Sequence, residues 1–247
     1  MTIDELFMHD AQVNYLTTSD DTFERAYVDA RKKESRILSD EQVKKLPAIS
    51  KTHEHFKEWR KRIPTTKKFT KYLSNRGTVA ILEIGCGNGW FSSKMLLGNN
   101  RVIGLDVGSE ELEQASQCFQ NENLRFIYCN DLKLLPEESF DIIVFNASLQ
   151  YFDLNDAFWK TLRTLLKEKG EIHILDSPIY TEKEAINAKE RSRAYYSNLN
   201  VDLINYYHPV HWDQIPKPRK LLYKPMGYLQ KILPYYSPFP WVCIYNS

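Results

Sequence analysis

The chain has 247 residues, 43% hydrophobic and 26% charged, with 33 lysines and arginines against 32 aspartates and glutamates. That length buries a sizeable core, the composition is globular rather than disordered or fibrous, and a formal charge of +1 exerts no global pull on nucleic acid or an anionic membrane. The opening MTIDELFMHD has acids where a signal peptide has basic residues, no apolar run reaches membrane-spanning length, and Cys86, Cys118, Cys129 and Cys243 fit neither a disulfide framework nor a zinc site, so the expectation is a reduced, cytoplasmic protein with no metal assigned.

Residues 1 to 76 read as an all-helical extension, rich in charge and without an alternating, strand-like stretch. Ser39-Asp40-Glu41-Gln42 forms a capping box that opens a short helix, which Pro47 ends. A second helix is expected from Ser50 to Ile63, stopped by Pro64, and a third, capped by Thr65 or Thr66, runs through Phe69, Tyr72 and Leu73 to Gly77. The basic run Lys57, Arg60, Lys61 and Arg62 around Trp59 reads as a solvated face with one aromatic anchor. His53 and His55 stand two apart and point to different helix faces, which argues against a shared metal.

At Thr78 the pattern changes. VAILEI (79–84), RVIGLDV (101–107), LRFIYC (124–129), FDIIVFN (140–146) and GEIHILD (170–176) are short apolar, β-branched runs, separated by helical segments at Gly89–Leu97, Ser109–Gln120 and Asn155–Lys167. Such alternation gives a parallel sheet covered on both faces. His173, in the fifth run, is expected to be a hydrogen-bonded core residue. After Asp176 a helix is expected from Thr181 to about Ser197, then an irregular Tyr-, Pro- and His-rich stretch. LLYK (221–224) and WVCIY (241–245) form an antiparallel pair, because a connection holding Pro225, Pro234, Pro238 and Pro240 is too short and broken for a crossover helix.

Chemistry concentrates at the ends of the first four runs. ILEIGCGNGW carries a strand ending in Glu83 into Gly85, Gly87 and Gly89 and then a helix, the arrangement of a ligand loop at the edge of an open α/β sheet. Asp106 closes the second run, where a carboxylate can accept both ribose hydroxyls, and Asn130-Asp131 follow the third. The fourth opens into a polar and aromatic segment over the same crevice. Cys86 has no basic neighbour in sequence and reads as loop filling.

From Thr78 to Asp176 the chain resembles class I S-adenosylmethionine-dependent methyltransferases. The resemblance implies a Rossmann-like α/β fold, a mostly parallel seven-stranded sheet with an antiparallel last strand between two others, preceded by the helical extension of residues 1–76. Within the domain of residues 77–247, the stretch 177–218 is expected to be an acceptor-site insertion, and the extension to close over cofactor and acceptor. The implied cofactor is S-adenosylmethionine, with S-adenosylhomocysteine as product. Its contacts are expected from Glu83 near the amino group, Gly85, Cys86, Gly87 and Gly89, Asp106 on the ribose, Val107 on the adenine face, and Asn130, Asp131, Leu132 and Asn146. Residues before the first strand often close over the cofactor carboxylate, so an arginine of the basic run is a further contact.

A sulfonium is an activated methyl donor, so positioning rather than a catalytic triad is expected. Tyr151, His208 and His211 are candidate bases, and the acceptor pocket is expected from the amino-terminal helices, the segment after the fourth strand and the aromatic stretch Tyr195–Trp212. The acceptor class is small-molecule or lipid-like; no DNA partner is expected, while an RNA or protein acceptor and a homodimer stay open. The alternatives are a non-catalytic binding module on the same fold and an NAD-dependent dehydrogenase, whose G-x-G-x-x-G fingerprint is broken here because Trp90 stands at its third glycine.

Overall fold

A computed structural model describes residues 1–8, 13–18, 21–225 and 236–246. Its sheet has eight strands: β1 (Asn14–Tyr15), β2 (Ala80–Ile84), β3 (Arg101–Asp106), β4 (Leu124–Tyr128), β5 (Phe140–Asn146), β6 (Leu166–Leu175), β7 (Arg219–Tyr223) and β8 (Trp241–Tyr245). They lie in the order β1-β4-β3-β2-β5-β6-β8-β7. All neighbours are parallel except β8, which runs antiparallel between β6 and β7. The order reverses between β2 and β5, whose connections leave to opposite sides, and the carboxyl ends of these strands bound a crevice.

Side-chain alternation divides the core. Along β2 and β5, Ile81, Ile142 and Val144 face one apolar cluster while Leu82, Ile84, Ile143 and Phe145 face the other. The first is covered by α3 (Asp40–Lys45), α4 (Phe56–Ser74), α5 (Trp90–Lys94) and α6 (Ser109–Cys118), through Val43, Phe69, Phe91 and Leu112. The second is covered by α1 (Ile3–Met8) and α7 (Asp156–Leu165), through Leu6, Trp159 and Leu162. A third, aromatic cluster forms where α2 (Asp21–Lys33) meets α8 (Glu182–Leu199) and the 3-10 turn Asp202–Tyr206.

The amino-terminal segment departs from its sequence reading in two ways. It supplies an eighth strand, β1, which is two residues long and so has no alternation to read; Tyr15 stacks on Tyr128 at 5.2 Å. The second and third expected helices are one helix, α4, beginning at Phe56 and running through Pro64. An interior proline costs about 3 kcal/mol. Here Trp59 before it and Phe69 and Leu73 after it are all buried, so tertiary packing holds both halves on one axis. The capping box at Ser39 and Gln42 is present, and α3 ends before Pro47. Pro234 and the rest of the β7–β8 connection from 226 to 235 lie outside the described residues.

Beneath the sheet's last strands is a buried polar network. His173 accepts at Nδ1 from the Trp241 indole N–H at 3.0 Å and meets Glu171 through Nε2 at 3.2 Å. Tyr72 donates to the same carboxylate, and Arg76 pairs with it. Burial alone would raise the Glu171 pKa, but hydrogen bonds from His173, Tyr72 and Arg76 hold it down to about 2. Cys243 lies close enough to Glu171 and His173 to make a three-ligand cluster. With both imidazole nitrogens engaged in hydrogen bonds, however, the cluster reads as structural. Trp241→Phe removes the donor to His173 and leaves a buried acceptor unpaired, which is expected to cost about 1–3 kcal/mol in urea unfolding without loss of the fold. Unchanged stability would show that the bond contributes nothing.

Candidate active site

At the carboxyl ends of the parallel strands lies a cavity of about 670 Å³. Its floor is the loop from β2 into α5. Gly85, Gly87 and Gly89 have φ of +76°, +51° and +70°, which only glycine adopts without strain. Space adds a second constraint. A Cβ on Gly85 would stand 2.4 Å from the Ser148 Cβ, and one on Gly89 would stand 2.5 Å from the Phe126 ring. Two of the three glycines therefore let the loop seat against the sheet, while Gly87 faces the Glu111 carboxylate, 3.3 Å from where its Cβ would lie.

Three carboxylates crowd this floor. Asp106 accepts from the Gly87 amide at 2.7 Å with one oxygen, and from Val107 at 2.7 Å and Gly108 at 2.9 Å with the other. Burial raises its pKa while those amides oppose the rise. Glu83 is 1% exposed and accepts from the Ser92 hydroxyl; burial, with the Asp106 charge adding to it, pushes its pKa up to about 8. Glu111 is pushed up to about 7 by burial, with Arg31 opposing and Asp106 and Glu24 reinforcing. Glu24 reaches over from α2 to accept from the Ser109 amide and hydroxyl, both at 2.6 Å. Carboxylates crowded this way hold protons that a cationic ligand would release, so the floor favours positive charge on whatever binds it.

The opposite wall is aromatic. Tyr27 meets Tyr151 edge-on at 5.8 Å, Phe23 meets Tyr151 at 5.7 Å, and Tyr151 meets Tyr207 at 6.0 Å. Between the two walls, Arg36 and Arg62 share Glu58 at 2.7 and 3.3 Å. Burial would raise the Glu58 pKa, yet the two arginines bring it to about 2. Around the rim, Asn146 Oδ1, Gln150 Oε1 and Asp176 Oδ2 are buried without a hydrogen-bond partner. Orphaned polar atoms facing one cavity are what a polar ligand would satisfy.

Of the residues expected to hold a cofactor, Glu83, Gly85, Cys86, Gly87, Asp106, Val107, Asn130, Leu132 and Asn146 line the cavity. Gly89 lies behind the loop as the N-cap of α5. Asp131 is outside the lining: it is exposed, and its carboxylate caps the turn Leu132–Leu134 by accepting from the Lys133 amide at 3.1 Å. The Cys86 thiol is buried and its pKa lies well above the ordinary value for that reason, in keeping with a filling role. Among the candidate bases only Tyr151 lines the cavity, and burial raises its pKa, so at neutral pH it stays a phenol. His208 is exposed, and His211 forms the N-cap of the turn Trp212–Gln214.

Lys61 and Arg62 of the basic run line the cavity rather than a wholly solvated face, and Arg62 lies over Trp59 at 5.0 Å. Tyr196, Leu203, Tyr206 and Tyr207 line it from the stretch expected to hold an acceptor, but Trp212 does not. Sequence reasoning missed Glu24, Tyr27, Arg31 and Glu111. The first three lie on α2, where Phe23, Tyr27 and Arg31 recur four apart and so share one helix face, a signal readable in retrospect.

Residues 82–174 match a family described as "Methyltransferase domain". A malonyl-[acyl-carrier protein] O-methyltransferase of Ilyobacter polytropus is 35% identical over 95 residues, 37% of this chain and 35% of that protein. An uncharacterised methyltransferase of Mycobacterium tuberculosis is 28% identical over 78 residues, 31% of this chain and 40% of that protein. The chain thus spans little more than a third of the length of these curated relatives. Among solved structures, a geranyl diphosphate methyltransferase in complex with GPP and sinefungin superposes with a TM-score of 0.54 at 14% identity, over 76% of this chain and 79% of that one, a likeness of fold. Strand order, glycine loop and matched segment agree: residues 82–174 match a methyltransferase domain, on a sheet of the kind expected from the resemblance to class I S-adenosylmethionine-dependent methyltransferases.

Proposed function

We propose that the protein binds S-adenosylmethionine on the carboxylate floor and transfers its methyl group to a small-molecule or lipid-like acceptor held against the aromatic wall. The observation that carries this reading is that one cavity is lined both by the three crowded carboxylates and by the rings of Phe23, Tyr27, Tyr151 and Tyr207. Glu83 would pair with the amino group of the cofactor. Asp106 has three amide donors on its two oxygens already, so Glu111, beside Gly87, is proposed to share the ribose hydroxyls with it. Val107, Asn130 and Leu132 are proposed to enclose the adenine in place of Asp131.

The bound sulfonium supplies an activated methyl group and leaves as a neutral thioether. What the chain contributes is alignment and exclusion of water, from α2 and from the segment after β5. Tyr151 is proposed as a hydrogen-bond donor that orients the acceptor rather than as a base. NAD is disfavoured because Trp90, at the third glycine of the dinucleotide fingerprint, is buried edge-on to Trp59 at 5.4 Å. The malonyl-[acyl-carrier protein] relatives match too little of the chain to carry their acceptor over.

Calorimetry is expected to show binding of S-adenosylmethionine and S-adenosylhomocysteine and none of NAD. Incubating the protein with labelled cofactor and fractionated cell extract is expected to label the metabolite or lipid fraction. NAD binding with no response to either sulfur nucleotide would overturn the reading, and cofactor binding with no label in any fraction would favour a binding module.

Asp106→Ala is expected to weaken S-adenosylhomocysteine about ten- to hundred-fold, from the loss of charge-assisted hydrogen bonds. Because the same carboxylate tethers the Gly87 and Gly108 amides, the variant's melting temperature is expected to fall as well. Full affinity in a folded variant would place the ribose acid elsewhere.

Glu83 gives a pH signature. Its pKa is about 8 in the fold against an ordinary 4.5, so between those values the folded chain holds a proton that the unfolded chain has released. Stability is therefore lost as pH rises across that window, by up to about 1.4 kcal/mol per unit from this group. Glu83→Gln is expected to flatten the decline of melting temperature between the two values while weakening S-adenosylhomocysteine. Parallel pH trends in variant and parent would show that Glu83 ionises normally.

A further inference from the structure

The cavity also holds a cation that makes no ion pair among the described residues. Arg31 projects from α2 with its guanidinium 5.7 Å from the Tyr27 ring centroid. Its Nε is buried and has no hydrogen-bond partner, and among the described residues no carboxylate lies within 4.0 Å of it. The contrast with its neighbours is sharp. Arg36 and Arg62 share Glu58, and Arg36 also pairs with Glu34. Glu34, which acts on Arg31 at longer range, is committed to Arg36 at 3.1 Å and to the Tyr195 hydroxyl at 2.6 Å. Glu111, the other acid acting on it, lies beside Gly87 on the floor.

A guanidinium Nε buried without a hydrogen-bond partner costs free energy that the surrounding charges do not repay as a bond, and a ligand that draws the guanidinium into a paired geometry offsets that cost. The rings around it set the rest of the ligand. Tyr27 meets Tyr151 edge-on, and Phe23 and Tyr207 pack on Tyr151, so the cluster offers the cavity an apolar surface for a flat or apolar body beside the charge.

We infer that the acceptor is a small carboxylate-bearing molecule with an aromatic or otherwise apolar body, its carboxylate seated on Arg31 and its body among Phe23, Tyr27, Tyr151 and Tyr207. This rests on the methyltransferase reading and names the substrate class of that same site. Arg31 is placed to decide specificity: a planar guanidinium accepts a carboxylate through two parallel hydrogen bonds, and a neutral isostere leaves one of its donors unpaired. The four-residue repeat Phe23, Tyr27, Arg31 makes a single helix face the carrier of both anchor and slot.

The test uses the full chain loaded with S-adenosylhomocysteine and the probes phenylacetate and phenylacetamide, which differ in charge but hardly in shape. Ligand-observed NMR at millimolar concentration is expected to show the carboxylate binding about ten-fold or more tightly than the amide. Arg31→Gln is expected to abolish that preference, Arg31→Lys to keep part of it, and both to bind S-adenosylhomocysteine within about two-fold of the parent, a shift too small for loss of a charged contact. Equal binding of the two probes, no binding of phenylacetate, or a preference that survives in Arg31→Gln overturns the inference. A selective loss of S-adenosylhomocysteine affinity in Arg31→Gln also overturns it, by assigning the guanidinium to the cofactor's own carboxylate. If the parent itself fails to bind S-adenosylhomocysteine, the underlying reading falls, and this one with it.

Discussion

Three carboxylates at the carboxyl end of one sheet are the constraint from which the rest of the site follows. Glu83, Asp106 and Glu111 lie in a crevice where burial disfavours their charged forms and the Asp106 charge further raises the pKa of the other two. The fold holds them there by means other than ion pairs. Asp106 is met by backbone amides, Glu83 by the Ser92 hydroxyl, and Glu111 feels Arg31 only at a distance. Such an arrangement is stable partly because two of the three can keep their protons near neutrality, and it becomes fully charged most readily when a cation arrives. The site is therefore built around the ligand's charge rather than around its own balance.

The glycine loop makes this crowding possible. With Gly85 against Ser148 and Gly89 against Phe126, the loop between β2 and α5 descends onto the sheet far enough for the Gly87 amide to reach the Asp106 carboxylate at the end of the adjacent strand. Any side chain at the two packing glycines would lift the loop and break that bond. The same closeness carries α5 down, so that Ser92 can reach Glu83 and Trp90 can meet Trp59 of α4. One loop conformation thus couples the floor of the crevice to the amino-terminal helices that wall it.

How much of this is legible in sequence depends on whether a residue's role is local. Strands β2 to β6 and β8 could be read because each is a short apolar run with polar punctuation, and the glycine loop because its spacing is tied to a strand-to-helix turn. Pro64 misled because its local cost was weighed without the burial of Trp59, Phe69 and Leu73 on either side. β1 was unreadable because two residues carry no period. Asp131 was legible as an acid after a strand, but its carboxylate had a nearer use in capping the next turn, a competition that sequence position cannot resolve. Glu111 stands in the first turn of α6, where an acid carries no mark of a ligand role in sequence. Its approach to Gly87 depends on how the preceding turn sets the helix over the loop.

The division between readable and unreadable residues also separates the two halves of the site. Glu83, Asp106 and the glycine loop hang from the sheet, whose strand ends are fixed by ladder hydrogen bonds, so residue type and order suffice to place them, whereas Glu111 rides on α6. Apart from Tyr151, which follows β5, the aromatic wall comes from α2, α8 and the turn after it, elements that pack chiefly on one another. Their positions relative to the floor are set by ring contacts such as Tyr27 on Tyr151 and by single tethers such as Glu24 on Ser109. Contacts of that kind can be rebuilt around a different acceptor without disturbing the glycine loop. This is why a match confined to residues 82–174 identifies the domain and carries nothing about α2, which lies before the matched segment and brings Phe23, Tyr27 and Arg31 to the cavity.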